Sequence, residues 1–248
     1  MANITIGADP EAFLLNTARY EVISAVGIVP GEKGSPVQLE GLKPGHNFHR
    51  DNVMIELGVP PTDDPMRFVD QINNAVRYAN QWLCDAGHRN VELWRACDII
   101  QCPDAMLATP EAQEFGCEPD NDAYEGGAQR DAPEGILGNY RSAGGHIHIG
   151  TDTGFNCPPF IVALLCDAYI GFNTPTGDPV DYDKQLQYWY RKPGLYREKD
   201  YGIEYRSPSN QWLFNNNLAY KYSAMALNIG RFCSEANAKD IRKLIEQI

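Results

Sequence analysis

Positive charge is scarce in this sequence: 21 Lys and Arg stand against 33 Asp and Glu, a net charge of −12 over 248 residues. A nucleic-acid-binding surface needs Lys and Arg to neutralise phosphates, so no nucleic-acid partner is expected. Long apolar runs are missing as well. Even "FIVALLCDAYIGF" falls short of the ~18 to 20 apolar residues that span a bilayer, so no membrane segment is expected. The opening "MANITIGADPEAFLL" has no basic region followed by an apolar one, which argues against a signal peptide. The seven cysteines form no CxxC pair and no regular framework. That excludes structural zinc on Cys and points to reduced, mostly buried thiols in a reducing compartment, the cytoplasm. Neither a Walker A sequence nor a GxGxxG fingerprint occurs.

What is present suits an ordinary globular protein, with 43% apolar and 22% charged residues. No repeat, heptad or low-complexity linker divides the chain, so residues 1–248 are expected to form a single domain. Residues 3–9 alternate as a strand, with Ile4, Ile6 and Ala8 on one side and Asn3, Thr5, Gly7 and Asp9 on the other. Residues 21–29 are β-rich, and "PGEKGSP" after them is a turn. In 52–57, Val53, Ile55 and Leu57 face one way, and Asn52, Met54 and Glu56 the other.

"PPTDDPMRFVDQINNAVRYANQWLCDAGH" predicts a helix capped by Asp63 or Asp64, with Pro65 in its first turn and Gly87 past its end. Phe68, Ile72, Val76, Ala79 and Leu83 give it one apolar face. A strand is expected over 91–98. Residues 111–134 then carry Glu111, Glu114, Glu118, Asp120, Asp122, Glu125, Asp131 and Glu134 against one base, Arg130, and read as a mobile, solvated acidic loop, with a site for a cationic substrate as the alternative. Further elements are a strand over 142–150, helices near 158–172 and 181–190, a strand near 202–207, and helices over 211–235 and from 239 onward. Strands joined by irregular loops, with helices inserted singly, indicate an α+β fold with a mostly antiparallel sheet.

Four stretches would each set polar, chargeable side chains on one face of a strand: Asp9 and Glu11, Glu56 with Asn52, His146 and His148, and Glu204 with Arg206. Singly, each is the wet face of an antiparallel sheet. On one sheet they would converge on its concave face, where crowded carboxylates raise one another's pKa and call for a counter-charge. A divalent cation supplies it. Carboxylates suit Mg²⁺ or Mn²⁺, an added imidazole leans toward Mn²⁺ or Zn²⁺, and four carboxylates exceed what one catalytic zinc needs. The segment "WYRKPGLYREKDYGIEYRSP" adds Arg191, Lys192, Arg197, Lys199 and Arg206, whose charges match phosphate or carboxylate oxygens.

These motifs resemble a known family. "GADPEAFLL", "AGGHIHIG" and "GIEYRSPS" are similar, in the same order, to the metal-binding strands of glutamine synthetases. With "RDNVMIEL" between the first two, the set resembles the phage-type carboxylate–amine ligases (amidoligases) of the glutamine synthetase-like superfamily. The resemblance implies a single domain with a curved antiparallel sheet and helices on its convex side. It also implies ATP and Mg²⁺ (or Mn²⁺), and small-molecule or peptide carboxylate and amine substrates. Residue by residue, Asp9, His146 and Glu204 would hold one metal near the γ-phosphate, and Glu11 and Glu56, with Asp51, another. His148 and Lys192 would serve the nucleotide phosphates, with Gly144 and Gly145 making room for the nucleotide. Arg206 would meet the carboxylate substrate, and Arg191 and Arg197 the transferring phosphoryl group. The first acid is Asp where the synthetases have Glu, and nothing resembles their ammonia or glutamate pocket. A zinc hydrolase using both histidines, and a non-catalytic binding or virion protein of the same fold, are the alternatives.

Overall fold

Alternation in the first residues builds a strand at the centre of the molecule. The computed structural model describes residues 2–95, 99–113, 119–130, 138–171 and 191–245. Its strands are β1 (Ile4–Ala8), β2 (Glu11–Ala12), β3 (Leu14–Asn16), β4 (Glu21–Ile23), β5 (Val37–Gln38), β6 (Asn47–Asp51), β7 (Met54–Thr62) and β8 (Val91–Leu93). They continue with β9 (Ile99–Gln101), β10 (Asp120–Asp122), β11 (Ala128–Arg130), β12 (Tyr140–Ser142), β13 (Ile147–Thr151), β14 (Leu195–Lys199) and β15 (Gly202–Tyr205). Ten of them form one sheet in the order β11-β10-β14-β15-β13-β1-β7-β6-β5, with β2 added to β7. Every pairing in it is antiparallel. Two small sheets, β12-β9 and β4-β3-β8, lie beside it. The fold is thus mixed α and β around a large antiparallel sheet.

The helices are α1 (Pro65–Asp85), the single turn α2 (Pro110–Gln113), α3 (Pro159–Tyr169), α4 (Asn216–Glu235) and α5 (Ala238–Ile245). Asp64 caps α1 by accepting from Met66 N (2.8 Å) and Arg67 N (3.3 Å), with Pro65 in the first turn. Its five predicted apolar positions are all buried. Asn215 caps α4 in the same way. α1, α3 and α4 cover the apolar face of the sheet, where Ile6, Ile149 and Ile203 lie opposite one another across β1, β13 and β15. Gly230 lets α4 come close, because a Cβ there would sit 2.5 Å from Ile4 Cγ2. Among the described residues no helix is long and apolar enough to cross a membrane.

Several elements differ from the sequence expectation. Asn52 does not share a strand face with Glu56: it takes a left-handed φ of 55° in the two-residue turn between β6 and β7, closed by the Asp51↔Met54 pair. β7 continues through Pro60 and Pro61, which fall where its register against β1 shifts. A bulge tolerates residues that cannot donate to the ladder. Of 21–29 only Glu21–Ile23 is strand, since the chain turns at Ala25–Val29 with Gly27 left-handed. α4 starts at Asn216, after a 3-10 turn over Asn210–Phe214.

Where it is described, the acidic segment 111–134 is only partly a solvated loop: Glu111 and Glu125 are exposed, while Asp120–Asp122 and Ala128–Arg130 are strands. Residues 120–130 form the two outermost strands of the main sheet, and Asp122 is buried. Glu114, Glu118, Asp131, Glu134, residues 96–98 and the helix expected at 181–190 lie outside the described residues.

One buried acid serves the apolar side. Asp167 of α3 accepts from the Tyr205 hydroxyl, and burial pushes its carboxyl up to about 6 from a usual 3.8, against the pull of hydrogen bonds from Tyr205, Tyr124, Ser207 and the Gly194 amide. Between those values the folded chain keeps a proton that the unfolded chain releases, so stability falls as pH rises from about 4 to about 6. Asp167→Asn should flatten that slope and be more stable than the parent at pH 7 by about 1–3 kcal/mol. Urea midpoints at pH 4 and pH 7 check this, and an unchanged slope would assign the pH dependence elsewhere.

Candidate metal site on the polar sheet face

Directly opposed residues on neighbouring strands share a face, so register alone sets two polar rows on the side away from the helices. The first runs Gly7↔His148↔Glu204↔Arg197 across β1, β13, β15 and β14. Asp120 of β10 extends it, 2.9 Å from Arg197 Nε. The second runs Glu11↔Glu56↔His49 across β2, β7 and β6. Asp9 and Pro10 join the two rows. Their connection is fixed by Glu11 N donating to Gly144 O (2.9 Å) and Leu57 N donating to Pro10 O (3.0 Å).

In the first row Asp9, His148 and Glu204 present ligand atoms within 4.8 Å of one another. Asp9 Oδ1 lies 2.9 Å from His148 Nε2, yet neither buried atom makes a hydrogen bond of good geometry. His148 Nδ1 bonds the Tyr201 hydroxyl, and the two rings stack at 5.8 Å, which aims Nε2 at the acids. His146 is oriented differently. Its Nδ1 is 3.4 Å from Asp9 and 3.8 Å from Glu204, but 3.2 Å from the Arg206 guanidinium, which disfavours a cation there. The pair expected to share one face does so, but His148 rather than His146 completes the three-residue group.

Charge follows from this packing. Burial would raise Asp9, but His148 and His146 outweigh it and hold the carboxyl well below the usual range. Burial would lower His148, and Asp9 and Glu204 outweigh it and raise it. Glu204 is pushed up by burial and by Asp9, yet Arg206 and the histidines bring it down to about 2. The raised His148 favours its protonated form beside these acids, and a cation would compete with that proton on binding.

Glu11, Asp51 and Glu56 form a second group, again with ligand atoms within 4.8 Å of one another. Glu11 is 1% exposed and its Oε2 accepts from Gly144 N (2.7 Å). Burial pushes both Glu11 and Glu56 up, and the Asp51 charge adds to each. His49 Nε2 stands 3.6 Å from Glu56, but burial lowers its imidazole below the usual value, so it brings no positive charge at pH 7. Three crowded acids beside a neutral imidazole are the environment a hard divalent cation would relieve.

Basic residues close the other end of the first row. Glu204 takes Arg206 Nη1, Lys199 Nζ (2.7 Å) and, at 3.8 Å, Arg197 Nη1. Asp120 Oδ1 lies 2.9 Å from Arg197 Nε and 3.0 Å from Arg206 Nε. Arg191, Arg197 and Arg206 are all buried, not surface arginines. Lys192 turns to Asp122. Gly144 and Gly145 do not open room for a nucleotide: a Cβ on Gly144 would overlap the His146 ring, and one on Gly145 would overlap Ser209 and the Trp212 indole. The protein's own side chains fill the space the glycines leave.

The structure therefore gathers Asp9, Glu204, His146, His148, Arg197 and Arg206 in one group, and Glu11, Asp51 and Glu56 in its neighbour. Sequence reasoning missed His49, Tyr201 and Asp120 as members. Carrying the alternation of "NVMIEL" back through "HRD" would have chosen Arg50; the two-residue turn at Asn52 and Val53 is what sets His49 opposite Glu56. No protein-family model matches the chain, and no curated protein matches it significantly.

Proposed function

We propose that the protein is an ATP-dependent carboxylate–amine ligase of the glutamine synthetase-like kind, forming an amide through an acyl phosphate. The observation that carries this reading is the pair of adjoining acid groups, Asp9/His148/Glu204 and Glu11/Asp51/Glu56, at the acidic end of a row that finishes in arginines. Two carboxylate-rich groups side by side suit two hard cations that bridge phosphate oxygens. We assign one cation to Asp9, His148 and Glu204, and the other to Glu11, Asp51 and Glu56. Bound there with ATP, Mg²⁺ or Mn²⁺ would supply charge neutralisation of the phosphates.

The chain's own residues do the rest. Tyr201 holds the His148 tautomer by its bond to Nδ1. Arg206 and Arg197 present guanidinium nitrogens where carboxylate and phosphoryl oxygens would meet, and Glu204 keeps them in place. Screening and positioning of this kind are what phosphoryl transfer to a carboxylate requires. The hydrolase reading needs both imidazoles on one zinc, and the Arg206 contact to His146 counts against it.

The test is incubation with ATP, Mg²⁺ and pooled amino acids and peptides. ADP release with new amide masses is expected, and amide hydrolysis without nucleotide would replace this reading with the hydrolase. In calorimetric Mn²⁺ titrations, His148→Ala should weaken binding at least about tenfold and His146→Ala less than about threefold. The reverse ranking would return the ligand role to His146.

A further inference from the structure

The arginine end of the charged row already holds an anion, and that anion belongs to the chain. Asp120 Oδ1 sits between Arg197 Nε and Arg206 Nε at 2.9 Å and 3.0 Å, on the line that Glu204 and His148 continue toward the acid groups. The contact is one of charge rather than aligned hydrogen bonding, since Asp120 Oδ1 makes no hydrogen bond of acceptable geometry. Its side chain is 16% exposed, so solvent reaches it, while both arginine side chains are below 10%.

Its element lies at an edge of the sheet. β10 and β11 are the outermost strands on that side and have three residues each. β10 meets β14 through only the Asn121↔Tyr196 and Asp122↔Leu195 pairs. Short edge strands open at lower free energy than central ones. The inner side of the same row is locked, because Glu204 is 2% exposed and faces Arg206, Lys199 and Arg197 together.

We propose that Asp120 is an internal stand-in for the substrate's oxyanion: its carboxylate fills the seat between Arg197 and Arg206, and an incoming carboxylate or phosphoryl group displaces it together with the β10–β11 edge. This rests on the ligase reading for the identity of the oxyanion, but not for the existence of the seat. The displacement exchanges one anion for another, so the arginines keep a counter-charge between turnovers. The acids in this segment then have a function that their composition alone hides.

Binding of inorganic phosphate, and separately of acetate, to the full chain without nucleotide tests it. Asp120→Asn keeps the shape and removes the competing charge, so phosphate or acetate affinity should rise about tenfold, one arm showing which oxyanion the seat prefers. Arg197→Gln should lose that binding. Unchanged or weaker binding in Asp120→Asn would overturn the proposal and make Asp120 a support for the arginines. If that variant does not fold, amide hydrogen exchange of the parent decides. Saturating phosphate should speed exchange across residues 120–130, and slower or unaltered exchange there would also overturn it. ATP turnover is scored separately, so a seat that binds phosphate in a chain that releases no ADP would keep this inference and remove the ligase.

Discussion

Glu204→Gln should reduce ATP-dependent turnover at least about a thousandfold, equivalent to about 4 kcal/mol of transition-state stabilisation. The reason lies in where Glu204 stands. It is the shared member of both halves of the row, offering one ligand atom beside Asp9 and His148 while its two oxygens also take Arg206, Lys199 and Arg197. An amide matches the carboxylate in shape but has no charge to give a cation or to hold three bases. Its carboxyl titrates at about 2, below the usual 4.5. The stability it contributes is therefore complete above pH 4.5 and is lost as pH falls through 2. Gln removes that contribution at every pH, so a lower Tm should accompany the lost activity. Assays belong well below that Tm, with near-ultraviolet circular dichroism showing that the variant is folded. Turnover within tenfold of the parent in a folded variant would take Glu204 out of the reacting group.

Gly145→Ala should destabilise the fold by about 4 kcal/mol, the upper end for overpacking a rigid site. The added methyl would run into the backbone of Ser209 on one side and the Trp212 indole on the other. Neither can retreat. Trp212 is buried and its Nε1 donates to Gly145 O (3.1 Å), while Gly145 N donates to Pro208 O (2.9 Å). The affected stretch also carries Gly144, whose amide holds Glu11. At about 2–4 °C per kcal/mol for a chain of this size, Tm should fall by about 8–16 °C, read by calorimetry. A loss under about 1 kcal/mol would mean that the 208–212 turn yields easily.

These two residues lie in the part of the molecule that was legible from local pattern. Alternation over residues 3–9 and 146–150 reflects strands with one apolar and one polar face, and that signal survives in any single sequence. The face of α1 was legible for the same reason, as were its Asp64 cap and Pro65. Asp120 and Asp122 were not. What holds them is Arg197, Arg206 and Lys192, some seventy to ninety positions downstream, and an acid-rich stretch looks solvated until its bases are placed beside it. The ranking of the two histidines was equally hidden. It depends on Arg206 reaching His146 and Tyr201 reaching His148, contacts between strands that sequence spacing does not encode. The glycines misled because their small size reads alike whether ligand or protein fills the gap.

The position of β1 has a consequence for synthesis. It lies between β13 and β7, and its pairing Ile4↔Thr151 cannot form until residues near 150 have left the ribosome. At about 5–20 residues per second, one side of this strand waits roughly 10–30 s with its backbone groups unpaired. β7 becomes available much earlier, so the nascent chain would carry a half-sheet with one open apolar edge until β13 arrives. Such an edge can recruit the same edge of a neighbouring chain. Growth at low temperature, which slows initiation and spaces the chains apart, should therefore favour soluble product over inclusion bodies.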